Sequence, residues 1–179
     1  CLRQGNMILG DGVKTKRGLD TMQVVGWIRS ELEDLKERKL EIGEVCIDSI
    51  GLGAGVVDRL LEKGVDVRGI NVSESPSIGS EYFNLRSELW WRCREWFERR
   101  DCLIPNDEKL IEELVTVQQD YNSDKLKVES KEKTRRNLDR GSSPDRADAF
   151  VLTFASYASM SGNSTNWNKP LERPMLGIV

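Results

Sequence analysis

One stretch decides the fold of this chain: Val45-Cys46-Ile47-Asp48-Ser49-Ile50-Gly51-Leu52-Gly53-Ala54-Gly55. Its first six residues are a short apolar run interrupted by one acid, a pattern typical of a buried strand. The glycines then permit a turn into a helix, predicted from about Val56 to Lys63, and a second strand is predicted from Val65 to Asn71. The order strand, helix, strand predicts an α/β fold with parallel pairing in the sheet.

The pattern on either side extends this α/β arrangement. Upstream, the sequence predicts a hairpin and a helix, and downstream it predicts further helices and a second hairpin. The predicted elements are a hairpin of Cys1–Gln4 and Met7–Lys16 turning at Gly5-Asn6, a helix capped by Asp20 and ending near Arg38–Leu40, a helix from Glu81 to Arg99 with Phe83, Leu89, Trp90, Trp91, Trp96 and Phe97 in the core, a helix from Asp107 to Leu114, a β-hairpin of Thr116–Tyr121 and Leu126–Glu129, and a helix capped by Ser143 that runs from Pro144 to about Ser159.

The composition limits the possible chemistry. The 179 residues include 27 basic and 30 acidic residues, for a net charge of −3, and no histidine. Serine or cysteine catalysis with a histidine base is therefore excluded, and the four cysteines lack the CxxC spacing of a zinc site. An enzyme of this composition would use carboxylates, lysine, tyrosine or a metal ion held by oxygen ligands. We expect no signal peptide or membrane span, and we expect a fragment of a longer chain, because the first residue is not Met.

Asp48 is the first candidate for chemistry. An acid in the middle of an apolar strand is costly to bury unless it is paired or binds a metal ion. It precedes the glycine loop, which places it near the C-terminal edge of the sheet, where open α/β folds have their sites. An acid that contacts water or caps the next helix explains the same pattern, and the sequence leaves both interpretations open.

The glycine loop is also compatible with a nucleotide-binding turn. Gly51, Gly53 and Gly55 give GxGxG, but Val56 stands where the dinucleotide fingerprint has its third glycine. No GxxxxGKS or GxxxxGKT loop occurs in the sequence. Glycines that only permit a tight turn between strand and helix explain the loop equally well.

Asp145 and Asp148 form a second acidic feature. They lie three residues apart at the start of the last predicted helix, and hence on one face of its first turn. Stabilisation by the helix dipole is a sufficient structural reason for acids at this place. The following residues are apolar nearly all round, so we also expect both acids to point into the protein. Two buried carboxylates without histidine would suit magnesium or manganese.

Basic residues cluster in two segments despite the negative net charge. Either cluster is explained by a solvated basic face, and either could contact a phosphate backbone. The clusters are Arg86, Arg92, Arg94, Arg99 and Arg100, and Lys125, Lys127, Lys131, Lys133, Arg135, Arg136 and Arg140.

Three segments together resemble one known family, the nuclease domain of bacteriophage terminase large subunits. Val45–Leu60 resembles the second catalytic strand of that domain. Ser130-Lys131-Glu132, followed by the Ser143–Ala149 segment that contains Asp145 and Asp148, resembles its closing motif. The entry to the first helix, Arg17–Met22, also fits, and the resemblance covers roughly residues 1–158 in the same order.

The resemblance implies a fold and an activity. The fold would be ribonuclease H-like, a mixed sheet flanked by helices with an additional β-hairpin, in residues 1–159, followed by a flexible tail in residues 160–179. The domain would be an endonuclease that cuts concatemeric double-stranded viral DNA with two Mg²⁺ or Mn²⁺ ions about 4 Å apart. Asp48 would be the second acid of the site, and Asp145 and Asp148 the third acidic position and its neighbour. The implied partners are DNA, a small terminase subunit and a portal protein, without a membrane, in the cytoplasm of a bacterial host.

One departure from the family keeps an alternative open. The family's first acid lies on a strand that precedes Cys1, and neither Asp11 nor Asp20 is placed to replace it. The alternative is a non-catalytic DNA-binding or docking fragment of the packaging motor.

Two geometric expectations follow from the nuclease interpretation. The Asp48 carboxylate should lie within about 8 Å of Asp145 or Asp148, because two-metal sites hold their ligands that close. The basic residues before the last helix should lie along the rim of the acidic site, with Lys131 foremost. These residues are Lys125, Lys127, Lys131, Lys133, Arg135 and Arg136.

Overall fold

The computed structural model describes residues 1–8, 13–121 and 123–155. It is a mixed α/β structure in which helices predominate. Its elements are β1 (Arg3–Gln4), β2 (Met7–Ile8), α1 (Thr21–Glu37), β3 (Cys46–Asp48), α2 (Leu52–Glu62), β4 (Arg68–Ile70), α3 (Leu85–Glu98), α4 (Glu108–Thr116), α5 (Lys131–Asn137) and α6 (Asp145–Leu152), with 3-10 turns at Asp139–Gly141 and Thr153–Ala155. In the part of the chain described, no helix is long and apolar enough to cross a membrane.

The predicted strand–helix–strand unit is present. β3 pairs with β4 in parallel, with Asp48 opposite Ile70, and α2 makes the connection between the two strands. The register brings the ends of both strands to one edge, where the Ser49 amide donates to the Ile70 carbonyl at 2.9 Å. β1 and β2 form an antiparallel hairpin, also as predicted, and within the described residues each sheet has two strands.

The glycine loop is shorter than predicted, because α2 begins at Leu52 and takes most of the glycines into its first turns. Gly51 has a φ of 65°, a conformation that glycine adopts without strain. A Cβ atom on Gly53 would lie 1.7 Å from the carbonyl oxygen of Asp48. Gly53 therefore lets the helix start directly against the end of β3, which is a steric reason for glycine at this position.

Several element boundaries depart from the prediction. The sequence predicts a strand from Met7 to Lys16. Of this range, Met7–Ile8 forms β2, residues 9–12 lie outside the described residues, and residues 13–16 are not a strand. α3 starts at Leu85 rather than Glu81 because Asn84 caps it, accepting a hydrogen bond from the Ser87 amide. Phe83, expected in the core, is exposed because it precedes the helix.

The predicted second hairpin is reduced to a single antiparallel bridge between Gln119 and Val128. Two backbone hydrogen bonds support the bridge, from the Asp120 amide to Lys127 at 2.8 Å and from the Glu129 amide to Gln118 at 2.9 Å. The first predicted strand is shortened because α4 continues to Thr116. The segments therefore pair as predicted but do not form regular strands.

The core of the larger part of the molecule lies between α3 and α6. Trp96 contacts Phe150 and Phe154 edge to face, at centroid distances of 5.4 and 6.0 Å. A smaller apolar cluster around Val25 and Leu60 joins α1 and α2. α1 starts where predicted, since Asp20 caps it in a reciprocal capping box.

The start of α6 differs from the prediction. Pro144 occupies the cap position without a side-chain hydrogen bond, so the expected cap by Ser143 is wrong. The carboxylate of Glu113 on α4 accepts instead from the amides of Arg146 and Ala147, at 2.8 and 2.9 Å. The continuation of this helix to Ser159 and the tail 160–179 lie outside the described residues.

Candidate functional site

A cleft of about 410 Å³ opens at the edge where β3 and β4 end. Three parts of the molecule form its walls: the sheet edge, the start of α3 and the first turn of α5. The residues that line it are Asp48, Ile50, Val72 and Ser73 on the sheet side, Asn84 and Arg86 on α3, and Lys131 and Glu132 on α5. The cleft therefore contains two of the candidate residues identified from the sequence, Asp48 and Lys131.

Asp48 is the last residue of β3 and is partly buried. Its Oδ1 accepts a hydrogen bond from the Ile50 amide at 3.0 Å. The cap position of α2 belongs to Gly51, and no side chain caps that helix. The interpretation of Asp48 as a helix cap is therefore wrong, and its carboxylate instead holds the turn at the mouth of the cleft.

α5, which was not predicted as a helix, brings Lys131 into the cleft. Ser130 caps this helix by accepting from the Lys133 amide at 3.3 Å, and Lys131 is its first residue. The Lys131 ammonium lies 2.9 Å from Oδ2 of Asp148 on α6. Lys131 thus connects the cleft that contains Asp48 with the acid at the start of α6.

Asp145 and Asp148 do not share one environment. The Asp148 side chain is 22% exposed and bonded to Lys131, whereas Asp145 is exposed to solvent. The expectation that both acids point into the protein is therefore wrong for Asp145. Complete burial of Ala147 and Phe150 fixes the rotation of the helix and turns Asp145 outward.

The α4 side of α6 holds a separate set of charges. Glu113, the buried cap of α6, has a pKa raised mainly by burial and also by the nearby Asp145, although the two amide hydrogen bonds act in the opposite direction. Arg146 forms an ion pair with Asp107, the cap residue of α4. These contacts join two helix starts to each other.

Arg86 is a residue of the cleft that the sequence presented only as part of a basic cluster. Its side chain is buried, and Nη1 donates to the Glu129 carbonyl at 2.7 Å. Burial lowers the pKa of Arg86, while the charges of Asp148, Glu129 and Glu132 raise it. The burial of Arg86 could have been predicted from the sequence. Leu89 and Trp90 follow it by three and four residues, and this spacing places Arg86 on the buried face of α3.

The other predicted DNA-binding residues lie around α5 and the bridge before it. Lys125 donates to the Gly79 carbonyl at 2.6 Å, Lys127 pairs with Asp120 at 3.1 Å, and Lys133 lies 3.7 Å from Glu129. Arg135 and Arg136 are exposed on the last turn of α5. Of this set, Lys131 lines the cleft, and the others are not among the residues that line it.

The side chains at the cleft offer carboxylate oxygens to a metal ion. Asp48 lines the cleft, and Asp148 contacts Lys131, which also lines it. Carboxylate oxygens suit Mg²⁺ and Mn²⁺, so each of these two acids is of the chemical type that a hard divalent ion takes as a ligand. Among the residues described, no three His, Cys, Asp or Glu side chains are grouped to hold a metal ion.

The fold is that of a phage terminase nuclease domain. The structure matches a lysine-to-alanine mutant of the nuclease domain of the large terminase subunit gp2 of bacterial virus Sf6, with manganese, at a TM-score of 0.63. The match has 22% sequence identity and covers 84% of this chain and 79% of that chain. No family model and no curated protein matches the sequence. The resemblance found in the sequence motifs is therefore confirmed at the level of the fold.

Proposed function

We propose that this chain is the metal-dependent endonuclease domain of a DNA-packaging terminase, with a ribonuclease H-like fold, that cuts concatemeric double-stranded viral DNA. The observation that carries the proposal is the cleft itself. Its lining includes Asp48 and Lys131, the Lys131 ammonium lies 2.9 Å from Asp148, and the chain has the fold of a terminase nuclease domain, all of which support the proposal.

Asp48 and Asp148 are the residues that would hold Mg²⁺ or Mn²⁺. The manganese present with the matched Sf6 domain supports the choice of metal. Asp145, the neighbouring acid, is exposed and lies near Glu113 on the α4 side, so we assign it no direct role with the ion. A first acid like that of the family would complete the set. The ion supplies activation of water and stabilisation of the leaving 3′ oxygen in phosphodiester hydrolysis.

Lys131 is the residue that would hold the DNA phosphate at the site. Its side chain is 40% exposed while it bonds Asp148, so the ammonium can contact solvent and substrate from the same position. A lysine binds phosphate as a flexible point charge without sequence preference. Arg135 and Arg136, exposed further along α5, would extend this contact along the backbone of the duplex.

The proposed partners follow from the proposed role. Double-stranded DNA is the substrate, and a small terminase subunit and a portal protein would assemble with the complete motor.

A second candidate, a non-catalytic DNA-binding or docking fragment, is favoured by one observation. The described residues contain no group of three potential metal ligands of the kind that a nuclease site requires. The two candidates differ in a single property, which is whether the phosphodiester bond is broken.

The test is cleavage of a supercoiled plasmid by the complete protein, including any residues encoded upstream of Cys1, with Mn²⁺ or Mg²⁺. Asp48→Asn keeps the size of the side chain and an oxygen that can accept from the Ile50 amide. It should lower the cleavage rate about 100-fold or more, since it removes a proposed ligand of the metal ion. Asp58→Asn, on α2 outside the cleft, is the matched control and should cut normally. Duplex binding by the wild type without cleavage under either metal would favour the DNA-binding fragment.

A further inference from the structure

We infer that Arg86 is a positioning residue of this site: it joins the wall that carries Asp48 to the wall that carries Lys131, and so sets their separation. The inference rests on the proposed nuclease function and extends it to a residue that the family motifs found in the sequence do not include.

Arg86 is bonded to both walls of the cleft. Its backbone amide donates to the carbonyl of Val72 at 2.8 Å, and Val72 lies two residues beyond the end of β4, the strand that pairs with β3. Its Nη1 donates to the carbonyl of Glu129 at 2.7 Å. Glu129 immediately precedes Ser130, the cap of α5. One residue therefore links the sheet edge that ends in Asp48 to the helix that begins with Lys131.

The Glu129 end of this link is itself firmly held. Glu129 is 1% exposed, its amide donates to the Gln118 carbonyl at 2.9 Å, and its Oε1 accepts from Oγ1 of the fully buried Thr134 at 3.0 Å. Lys131 follows only two residues later. A shift of the Glu129 peptide would thus be carried directly into the position of the Lys131 ammonium and its contact with Asp148.

Stability alone does not account for a guanidinium at this place. Arg86 is 9% exposed, and its Nε and Nη2 are buried without a hydrogen-bond partner in the part of the chain that the structure describes. Buried charged groups with unsatisfied donors are costly, and replacing them by apolar residues is often neutral or stabilising. The three nearby carboxylates, those of Asp148, Glu129 and Glu132, compensate part of this cost.

The same burial separates positioning from direct contact with DNA. Because Nε and Nη2 have no access to solvent, they are not available to a phosphate that enters the cleft. Arg86 should therefore affect the rate of the chemical step through the placement of Lys131 and Asp148, and should leave the affinity for the duplex nearly unchanged.

The experiment compares Arg86→Gln and Arg86→Lys with Arg94→Gln in the complete protein. Arg94 lies on the same helix, is exposed and pairs with Glu98, which makes it a matched control. Plasmid cleavage with Mn²⁺ gives kcat and KM, and hydrogen exchange of the α5 amides reports how firmly that helix is held, without reference to activity. Arg86→Gln should lower kcat about 100-fold, the effect of a displacement of about 1 Å, with KM little changed.

The remaining outcomes are equally decisive. Arg86→Lys keeps the charge and a donor, so it should recover part of kcat, while Arg94→Gln should match the wild type. In Arg86→Gln the α5 amides should exchange faster and the amides in the middle of α3 should not. An unchanged kcat with unchanged α5 exchange overturns the inference, and so does a loss of duplex affinity with a flatter salt dependence, which would make Arg86 a phosphate contact.

Two controls keep the test informative. If Arg86→Gln does not fold, Thr134→Val takes its place. This variant removes the hydrogen bond that Thr134 on α5 donates to Glu129, and it should lower kcat with unchanged KM. Should the wild type fail to cut DNA, the proposed function fails, and α5 exchange still decides whether the Arg86 side chain holds α5 in place.

Discussion

The first turn of α6 has two sides of opposite character. On the side facing α4, Glu113 caps two amides of the helix and Arg146 pairs with Asp107. On the side facing the cleft, Asp148 pairs with the partly exposed Lys131, and the buried Arg86 nearby has two nitrogens without a hydrogen-bond partner among the described residues. The first set of contacts joins secondary-structure elements, and the second set is incompletely satisfied.

This difference separates stability from function within one helical turn. The α4 side needs nothing further, because Glu113 caps a helix start and Arg146 and Asp107 form an ion pair. The cleft side contains the kind of unsatisfied buried group that requires an explanation beyond stability. Asp145 and Asp148 are chemically identical and three residues apart. Of these two acids, we assign a role in the reaction only to Asp148.

The largest effect should come from exchanging the two acids for asparagine one at a time. Asp148→Asn removes a proposed ligand of the metal ion and should lower plasmid cleavage about 100-fold or more. Asp145→Asn, the matched control on the solvent side, should stay within about threefold of the wild type, as expected of an exposed substitution. Equal losses in the two variants would remove the distinction between the sides of α6.

A large effect on stability should come from the α4 side. Glu113→Ala leaves the amides of Arg146 and Ala147 without their acceptor and should lower the free energy of unfolding by about 1–3 kcal/mol for each unsatisfied group. Glu113→Gln retains an acceptor oxygen and should lose less. Urea denaturation measures both values, and an Ala variant as stable as the wild type would show that water replaces the cap.

A moderate effect should appear in DNA binding. Lys131→Ala removes one phosphate contact, so duplex affinity should fall and the slope of its logarithm against that of salt concentration should flatten by about one unit. Arg135→Ala should act in the same direction. Lys125→Ala is the control, because Lys125 already donates to the Gly79 carbonyl away from the cleft. If only the control weakened binding, the DNA path would run along the Gln119–Val128 bridge instead of α5.

The smallest effect concerns pH. Burial raises the pKa of Glu113 above its usual value of 4.5 in the folded protein. Its contribution to stability is therefore fully present below pH 4.5 and is lost as the pH rises through the folded pKa. The difference in unfolding free energy between the wild type and Glu113→Gln should therefore become smaller as the pH rises. A difference that grows with pH would mean that the two amide hydrogen bonds outweigh burial.

Local signals in the sequence were sufficient for part of the fold. The apolar run before Gly51 predicted β3 and its parallel partner, and Asp20 predicted the start of α1, because each of these features is decided by neighbouring residues. Asp48 was identified from the same apolar run and Lys131 from the motif that resembles the terminase family, and both residues line one cleft. The motif order predicted the fold that the Sf6 domain shares.

Contacts between distant residues account for what the sequence did not predict. The rotation of α6 that exposes Asp145 depends on the burial of Ala147 and Phe150 against other helices. The link from Arg86 to Glu129 joins positions 43 residues apart, and neither residue indicates the other in the sequence. α5 was missed although Ser130 is a good cap, because the seven residues of the helix contain no apolar periodicity.

The cap that Glu113 provides also has a consequence for the order of folding. Because Pro144 offers α6 no local cap, the first turn of this helix depends on an acceptor 33 residues earlier in the chain. Starting a helix is unfavourable, and a contact at such a separation first requires closure of the intervening loop. The turn that carries Asp148 should therefore form only after α4 has docked, so a partly folded chain would not yet have this part of its proposed metal site.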